Sequence, residues 1–290
     1  MLPYSVKKLG RVILSPRYHL RILMNDAKAL AGFFSYPSKV IFVAGLPKSG
    51  TTWLENYISH IPGYNPRVLF GSRDLLTLNR LPGNAFSKIP KYGYSAIKTH
   101  ILPTGENADV LVENNVTKII IMYRDLRDVA VSLYYFLRDN PWEQSDDQAD
   151  YQGMGKEQGL SHIVNEVTDS YASWVIGWME VAKTRKDIEF KFIKYEDLLS
   201  DSIGVFQSVL SFYDIRISDE EFDSVMSAIH DDRNRKKSKS LLYLPGNRTT
   251  KRKGIAGEWK KELNGEQKKI FREKVGALLV ELGYENDLNW

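Results

Sequence analysis

Two kinds of hydrophobic pattern alternate along the chain. Residues 39–45 (KVIFVAG) form a short, β-branched apolar run bounded by Pro37 and Gly45, which predicts a buried strand. In TTWLENYISHI, residues Trp53, Leu54, Tyr57, Ile58 and Ile61 fall at helical spacing and the pattern stops near Pro62, which predicts a helix directly after a tight loop. The pairing recurs where KIIIMY predicts a strand from Lys118 and DLRDVAVSLYYFL a helix whose acidic first turn suits its N-terminus. SAIKTH (95–100), stopped by Pro103, and EFKFIKY (189–195) predict two more strands, the second leading through YEDLLSD into a helix from about Ser202 to Tyr213. Residues 161–184 and 265–283 read as long helices, the latter with a poor amphipathic face and an internal Gly276. Strands alternating with helices predict an α/β fold with a central, mainly parallel sheet flanked by helices, in which ligands bind beyond the carboxyl ends of the strands.

Composition changes this picture little. A chain of 290 residues with 43% hydrophobic and 12% aromatic content has ample material for one α/β core, so the division expected is an N-terminal basic helical extension (1–38) and a single domain (39–290). Cysteine is absent, which rules out disulfides and a cysteine nucleophile and suits a reducing interior. With no apolar stretch of about 18 residues and no signal-peptide core, a cytoplasmic location is expected. Net charge is +4, yet residues 233–253 alone hold nine Lys/Arg and no acid, so the remainder carries −5 (+4 − 9). Such a run suits a polyanion, a membrane surface or simply a solvated loop.

The chemistry begins in GLPKSGTT. Gly45 and Gly50 have the separation of a nucleotide-triphosphate loop, G-x-x-x-x-G-K-[ST], but Thr51 stands where its lysine belongs, and the cation sits earlier, at Lys48. A glycine-rich turn leading into a helix still suits a phosphate. The displaced lysine implies a phosphorylated ligand whose reacting group needs positive charge elsewhere than in ATP.

Three more constellations follow predicted strand ends or the basic run: IKTH, YRDLRDVAVS and RKGIAGEWK. With PKSGTTW, and with YASWVIGW and FIKYEDL between them, they resemble, from about Val40 to Lys260, the sulfotransferases that use 3′-phosphoadenosine 5′-phosphosulfate (PAPS). That resemblance implies a P-loop-like domain and transfer of a sulfuryl group to a hydroxyl or amine, with 3′-phosphoadenosine 5′-phosphate (PAP) as product and no metal. It gives Ser49, Gly50, Thr51 and Thr52 to the 5′-phosphate, and Lys48 to the oxygen bridging phosphate and sulfate. Arg124, Ser132, Arg252, Lys253 and Gly254 go to the 3′-phosphate. Trp53 and Tyr195 match adenine-contacting positions; spacing alone fits Trp53 to a core equally well, and a sheet-edge cap is the lesser alternative for Tyr195. His100, one of five histidines, would be the general base and Lys98 would steady the sulfuryl oxygens; strand alternation puts the two on one face.

Arg127 and Asp128 need be no more than a surface ion pair and are assigned no chemistry, and Trp259 reads as a packing anchor. Glu258 stands where the family usually has Asp, and Leu126 where Pro or Ala is common. The chain after Lys260 lacks the dimer segment of animal cytosolic members, so oligomeric state stays open. Acceptor loops are expected around Phe70–Tyr94 and Phe136–Gly159, with Phe136, Tyr135, Trp142 and Tyr151 as aromatic candidates for a small-molecule, lipid or carbohydrate acceptor. Residues 140–159 suit a lid. Lys7, Lys8, Arg11, Arg17, Arg21 and Lys28 among apolar residues suit either a helix packed on its own domain or a basic helix on a membrane. The competing functions are a P-loop kinase or NTPase and a non-catalytic polyanion-binding module; stacking aromatics are too sparse in the basic run for nucleic acid.

Overall fold

The structure, a computed structural model, describes residues 16–69, 80–140, 150–234 and 253–290. Five parallel strands, β1 (Val40–Gly45), β2 (Tyr64–Arg67), β3 (Tyr94–Thr99), β4 (Lys118–Tyr123) and β5 (Glu189–Lys194), form one sheet in the order β2-β3-β1-β4-β5. Helix α1 (Pro16–Leu30) precedes β1, α2 (Thr51–His60) follows it, and α3 (Gly105–Glu113) joins β3 to β4. Then come α4 (Leu126–Asp139) and α5 (Lys156–Thr184) before β5, and α6 (Tyr195–Ser200), α7 (Ser202–Phe212), α8 (Asp219–Asn234), α9 (Trp259–Glu262) and α10 (Gly265–Glu281) after it.

Both faces of the sheet are covered, which is why its strands are continuous apolar runs. Alternation divides β1 between two cores. Phe42 and Ala44 join Ile97, Ile119 and Ile121 under α4, α5 and α10, while Ile41 and Val43 join Ala96, Ile120 and Met122 under α2 and α7. Buried Tyr213 holds the layers in register: its hydroxyl donates to the Lys118 carbonyl (2.9 Å) and accepts from the Phe42 N–H (3.2 Å).

The four strands expected from sequence are present, and their largely parallel pairing is observed. Tyr64–Arg67 was not anticipated, because a four-residue strand containing Pro66 carries a weak signal; proline is tolerated there because β2 is an edge strand. The chain leaves β1 for the β2 edge, returns through β3, and crosses β1 to reach β4. This reversal opens a crevice at the carboxyl end of β1, flanked by those of β3 and β4.

Candidate active site

The loop from Leu46 to Gly50 is shaped by steric necessity. A Cβ on Gly45 would run into the Thr51 methyl and come within 3.0 Å of the Met122 carbonyl oxygen. At Gly50, with φ of 89°, it would lie 2.6 Å from the Tyr195 ring. Lys48 itself has φ of 68°, a left-handed conformation that costs a non-glycine residue about 1–2 kcal/mol and is held by its surroundings. Part of that hold is Ser49, whose buried hydroxyl donates to Leu46 O (2.7 Å) and Met122 O (3.2 Å). The side chain of Ser49 thus faces the loop's own backbone. No side chain caps α2 at Gly50, so the positive end of the helix is not neutralised from within.

Beside this cradle stand the lysines and the histidine. The Lys48 ammonium lies 3.9 Å from the centre of the Phe136 ring. Lys98 donates to Thr52 Oγ1 (2.5 Å) and lies 3.1 Å from Glu55 Oε2. Burial pushes the Glu55 carboxyl above its ordinary range, and the Lys98 ammonium opposes that rise. Nδ1 of His100 lies 2.5 Å from the carbonyl oxygen of Gly45. A carbonyl only accepts, so Nδ1 carries the proton and Nε2 of the neutral ring is the acceptor nitrogen.

Arg124, one residue beyond β4, binds the crevice together. Its Nη2 donates to Ile255 O (2.8 Å) and lies 3.4 Å from Asp128 Oδ2, and its guanidinium sits 4.3 Å over the Tyr195 ring. Tyr123 pairs with Lys194 in the sheet, so Arg124 and Tyr195 leave adjacent strands side by side. Trp53 meets the Tyr195 ring edge-on at 6.0 Å.

Arg127 and Asp128 correct the expectation of a surface pair: both are 1% exposed and each has other partners. Arg127 bonds Asp125 and Glu285 and lies against the rings of Trp259 (3.7 Å) and Trp290 (4.3 Å). Asp128 accepts from the N–H groups of Gly257 (2.7 Å) and Trp259 (2.9 Å), tying the RKGIAGEWK segment to α4. Trp259 is buried, as a packing anchor should be.

Asp128, Ser132 and Phe136 follow at four-residue intervals on α4, one stripe running from the Gly257 turn to Lys48. Lys253 reaches Glu258 (2.5 Å), and Gly254 turns with φ of 68°. Arg252, the basic run from 235, Trp142 and residues 141–149 of the segment expected as a lid lie outside the described residues.

The structure therefore gathers Lys48, Thr52, Lys98, His100, Arg124 and Tyr195 around one crevice. Two residues not anticipated belong with them, Glu55 and Asp128. For Asp128 the signal was its place four residues after Arg124. Glu55 gave none, since its burial depends on β3. An uncapped helix, lysines and a guanidinium beside an aromatic ring suit a phosphorylated, ring-bearing ligand, and glycines without space for a Cβ let the loop pack closely on Thr51, Met122 and Tyr195.

A parallel sheet that carries such a glycine-rich cradle at the reversal of its strand order defines an α/β protein of the P-loop-like class. A family model described as Sulfotransferase domain matches residues 38–283, and the chain belongs to this PAPS-dependent sulfotransferase family and is an enzyme of it. It is 27% identical over 266 residues to Sulfotransferase 1B1 of Canis lupus familiaris, covering 85% of each chain. To Flavonol 3-sulfotransferase of Flaveria bidentis it is 27% identical over 281 residues, covering 84% of each. Among solved structures, mouse sulfotransferase SULT7A1 complexed with PAP shares the fold with a TM-score of 0.61 at 22% identity, over 89% of this chain and 88% of that one. Among the described residues, no helix is long and apolar enough to cross a membrane.

Proposed function

We propose that this sulfotransferase moves a sulfuryl group from PAPS to a hydroxyl or amine of a small, ring-bearing acceptor by in-line displacement. The observation that carries this reading is the bond from His100 Nδ1 to the carbonyl of Gly45, the residue that opens the anion cradle. It directs the basic nitrogen of the ring to the other side while fixing the imidazole to the cradle.

In this reading Nε2 of His100 takes the acceptor's proton as the acceptor atom bonds to sulfur. The bond between sulfur and the bridging phosphate oxygen breaks with its electron pair left on that oxygen, and Lys48 meets the charge that develops there. Lys98 steadies the sulfuryl oxygens. The first turn of α2, with Thr51 and Thr52, holds the 5′-phosphate; Arg124, Ser132, Arg252, Lys253 and Gly254 hold the 3′-phosphate; Trp53 and Tyr195 border the adenine. The products are the sulfated acceptor, PAP and a protonated His100. Phe136, against which Lys48 rests, would form a wall of the acceptor pocket. Relatives named for flavonols, amines and 3β-hydroxysteroids favour a ring-bearing alcohol or amine.

A transfer assay with sulfur-labelled PAPS against pooled phenols, alcohols, amines, sugars and lipids tests the reading. Labelled product with at least one pool is expected. Tight binding of ATP with magnesium, and none of PAP, would overturn it in favour of a kinase or NTPase.

A further inference from the structure

Helix α1 buries Ala29 against the domain but turns its larger apolar residues outward. Two of its polar residues, Asn25 and Asp26, face the domain: Asp26 takes both oxygens to Arg67 Nη2 (2.6 and 2.7 Å), Asn25 donates to Asn65 Oδ1 (3.1 Å), and Asn65 donates back to Asp26 (2.9 Å) and to Ile22 O (3.3 Å). Its outer face carries Leu20, Leu23, Met24 and Leu30, which are 57%, 66%, 50% and 70% exposed. Their spacing of three, four and seven residues makes one continuous apolar stripe, with exposed Ala27 in its middle. A turn at Gly32, in which the Phe33 N–H reaches back to Lys28 O, ends the helix and leaves Phe33 72% exposed beside it. The following Phe34 stacks on Tyr36, and the Tyr94 hydroxyl holds its carbonyl. The helix is thus fixed at its polar face and at its end. It cannot roll the stripe inward without breaking the Asp26–Arg67 pair.

Charge identifies the occupant. Residues 1–28 hold six Lys/Arg and one acid, Asp26, whose charge Arg67 already meets. A second copy of this face would bring like charges together, and so would residues 1–15, whose charged side chains are Lys7, Lys8 and Arg11. A surface that is apolar below and anionic above meets both properties at once. We propose that α1 lays this stripe into the headgroup boundary of an anionic lipid bilayer, which would set the crevice beside lipid-borne or membrane-dissolved acceptors.

The test is co-sedimentation of the full chain with phosphatidylcholine vesicles, with and without phosphatidylserine, alongside transfer to a soluble acceptor. The chain is expected to pellet with the anionic vesicles and to be released by high salt. In the triple variant Leu20→Ser, Leu23→Ser, Leu30→Ser, partitioning should fall by roughly tenfold or more with soluble transfer unchanged. Lys28→Glu, a single surface change that leaves the stripe intact, should weaken binding to anionic vesicles and leave melting unchanged. Failure to bind anionic vesicles, equal binding by the triple variant, or a vesicle-independent dimer that the triple variant dissolves would each overturn the proposal. Since soluble transfer is read separately, none of these outcomes bears on the chemistry of the crevice.

Discussion

The ammonium of Lys98 lies 3.1 Å from a carboxylate oxygen of Glu55, a residue only 1% exposed, and the same ammonium donates to Thr52 at the start of α2. The pair joins β3 to the helix of the anion cradle and holds in place a lysine that the chemistry is proposed to use. Removing the ammonium leaves a buried carboxylate uncompensated, so Lys98→Met should lower stability at pH 7.5 by roughly 3 kcal/mol. The folded-state pKa of Glu55 is raised already and would rise further without Lys98. A raised carboxyl favours the fold below its unfolded pKa, and the advantage is lost as pH rises through the folded value. The deficit should therefore shrink as pH falls towards the ordinary carboxylate range, and Lys98→Met/Glu55→Gln should remove most of it. Thermal melts of the three proteins across pH check this; a deficit independent of pH would contradict it.

His100→Ala should reduce turnover by about 10²–10⁴-fold, the usual contribution of a general base, with PAP affinity nearly unchanged. Single-turnover rates together with calorimetric titration of PAP separate the two quantities. Full turnover by the variant would remove His100 from its proposed role.

Lys48→Met should abolish transfer and leave the protein folded, because the methionine side chain keeps the apolar contact with the Phe136 ring while removing the charge. Its loss should appear in the rate constant for transfer, where charge develops, far more than in the KM for PAPS. An equal loss in PAP binding would instead make Lys48 a simple phosphate anchor.

Asp128→Ala removes the acceptor of the Gly257 and Trp259 N–H groups and one partner of Arg124 in one step. A loss of about 2–4 kcal/mol in stability is expected from the unpaired buried groups, with weakened PAP binding. Denaturant melts and calorimetry measure both. Unchanged PAP affinity in the variant would show that the Gly257 turn does not take part in binding.

Trp290→Ala strips one of the two rings from Arg127 and should cost about 1–2 kcal/mol, since the guanidinium is buried and desolvated there. Its effect on PAP affinity should be small. A melt of the variant checks the first expectation and a PAP titration the second.

Much of the site was legible in sequence because it consists of short, contiguous pieces. KVIFVAG followed by GLPKSGTT is a strand, a tight turn and a helix start, and its glycines are dictated by local crowding, as Gly45 and Gly50 demonstrate. His100 and Arg124 follow directly on β3 and β4, so the strand pattern located them too. Arg127 and Asp128 misled because adjacent opposite charges on a polar-looking helix start usually face water. Their burial comes from Trp259, Trp290 and Gly257, all more than one hundred residues away in the chain. Glu55 gave no warning for the same reason: its partner arrives from β3.

Sequence by itself therefore determined four of the five strands, the helices that follow β1 and β4, the glycine-rich turn, the displaced lysine and the existence of an amphipathic α1. These follow from backbone sterics and from periodicity, which act over a few residues. Only the tertiary structure decided which nitrogen of His100 holds the proton, what opposes the charge of Lys98, and that the apolar face of α1 looks outward. Each depends on a group from another element: the Gly45 carbonyl, the Glu55 carboxylate and the Arg67 guanidinium. Periodicity reveals that a helix has two faces, but the ion pair between Asp26 and Arg67 settles which of them meets the domain.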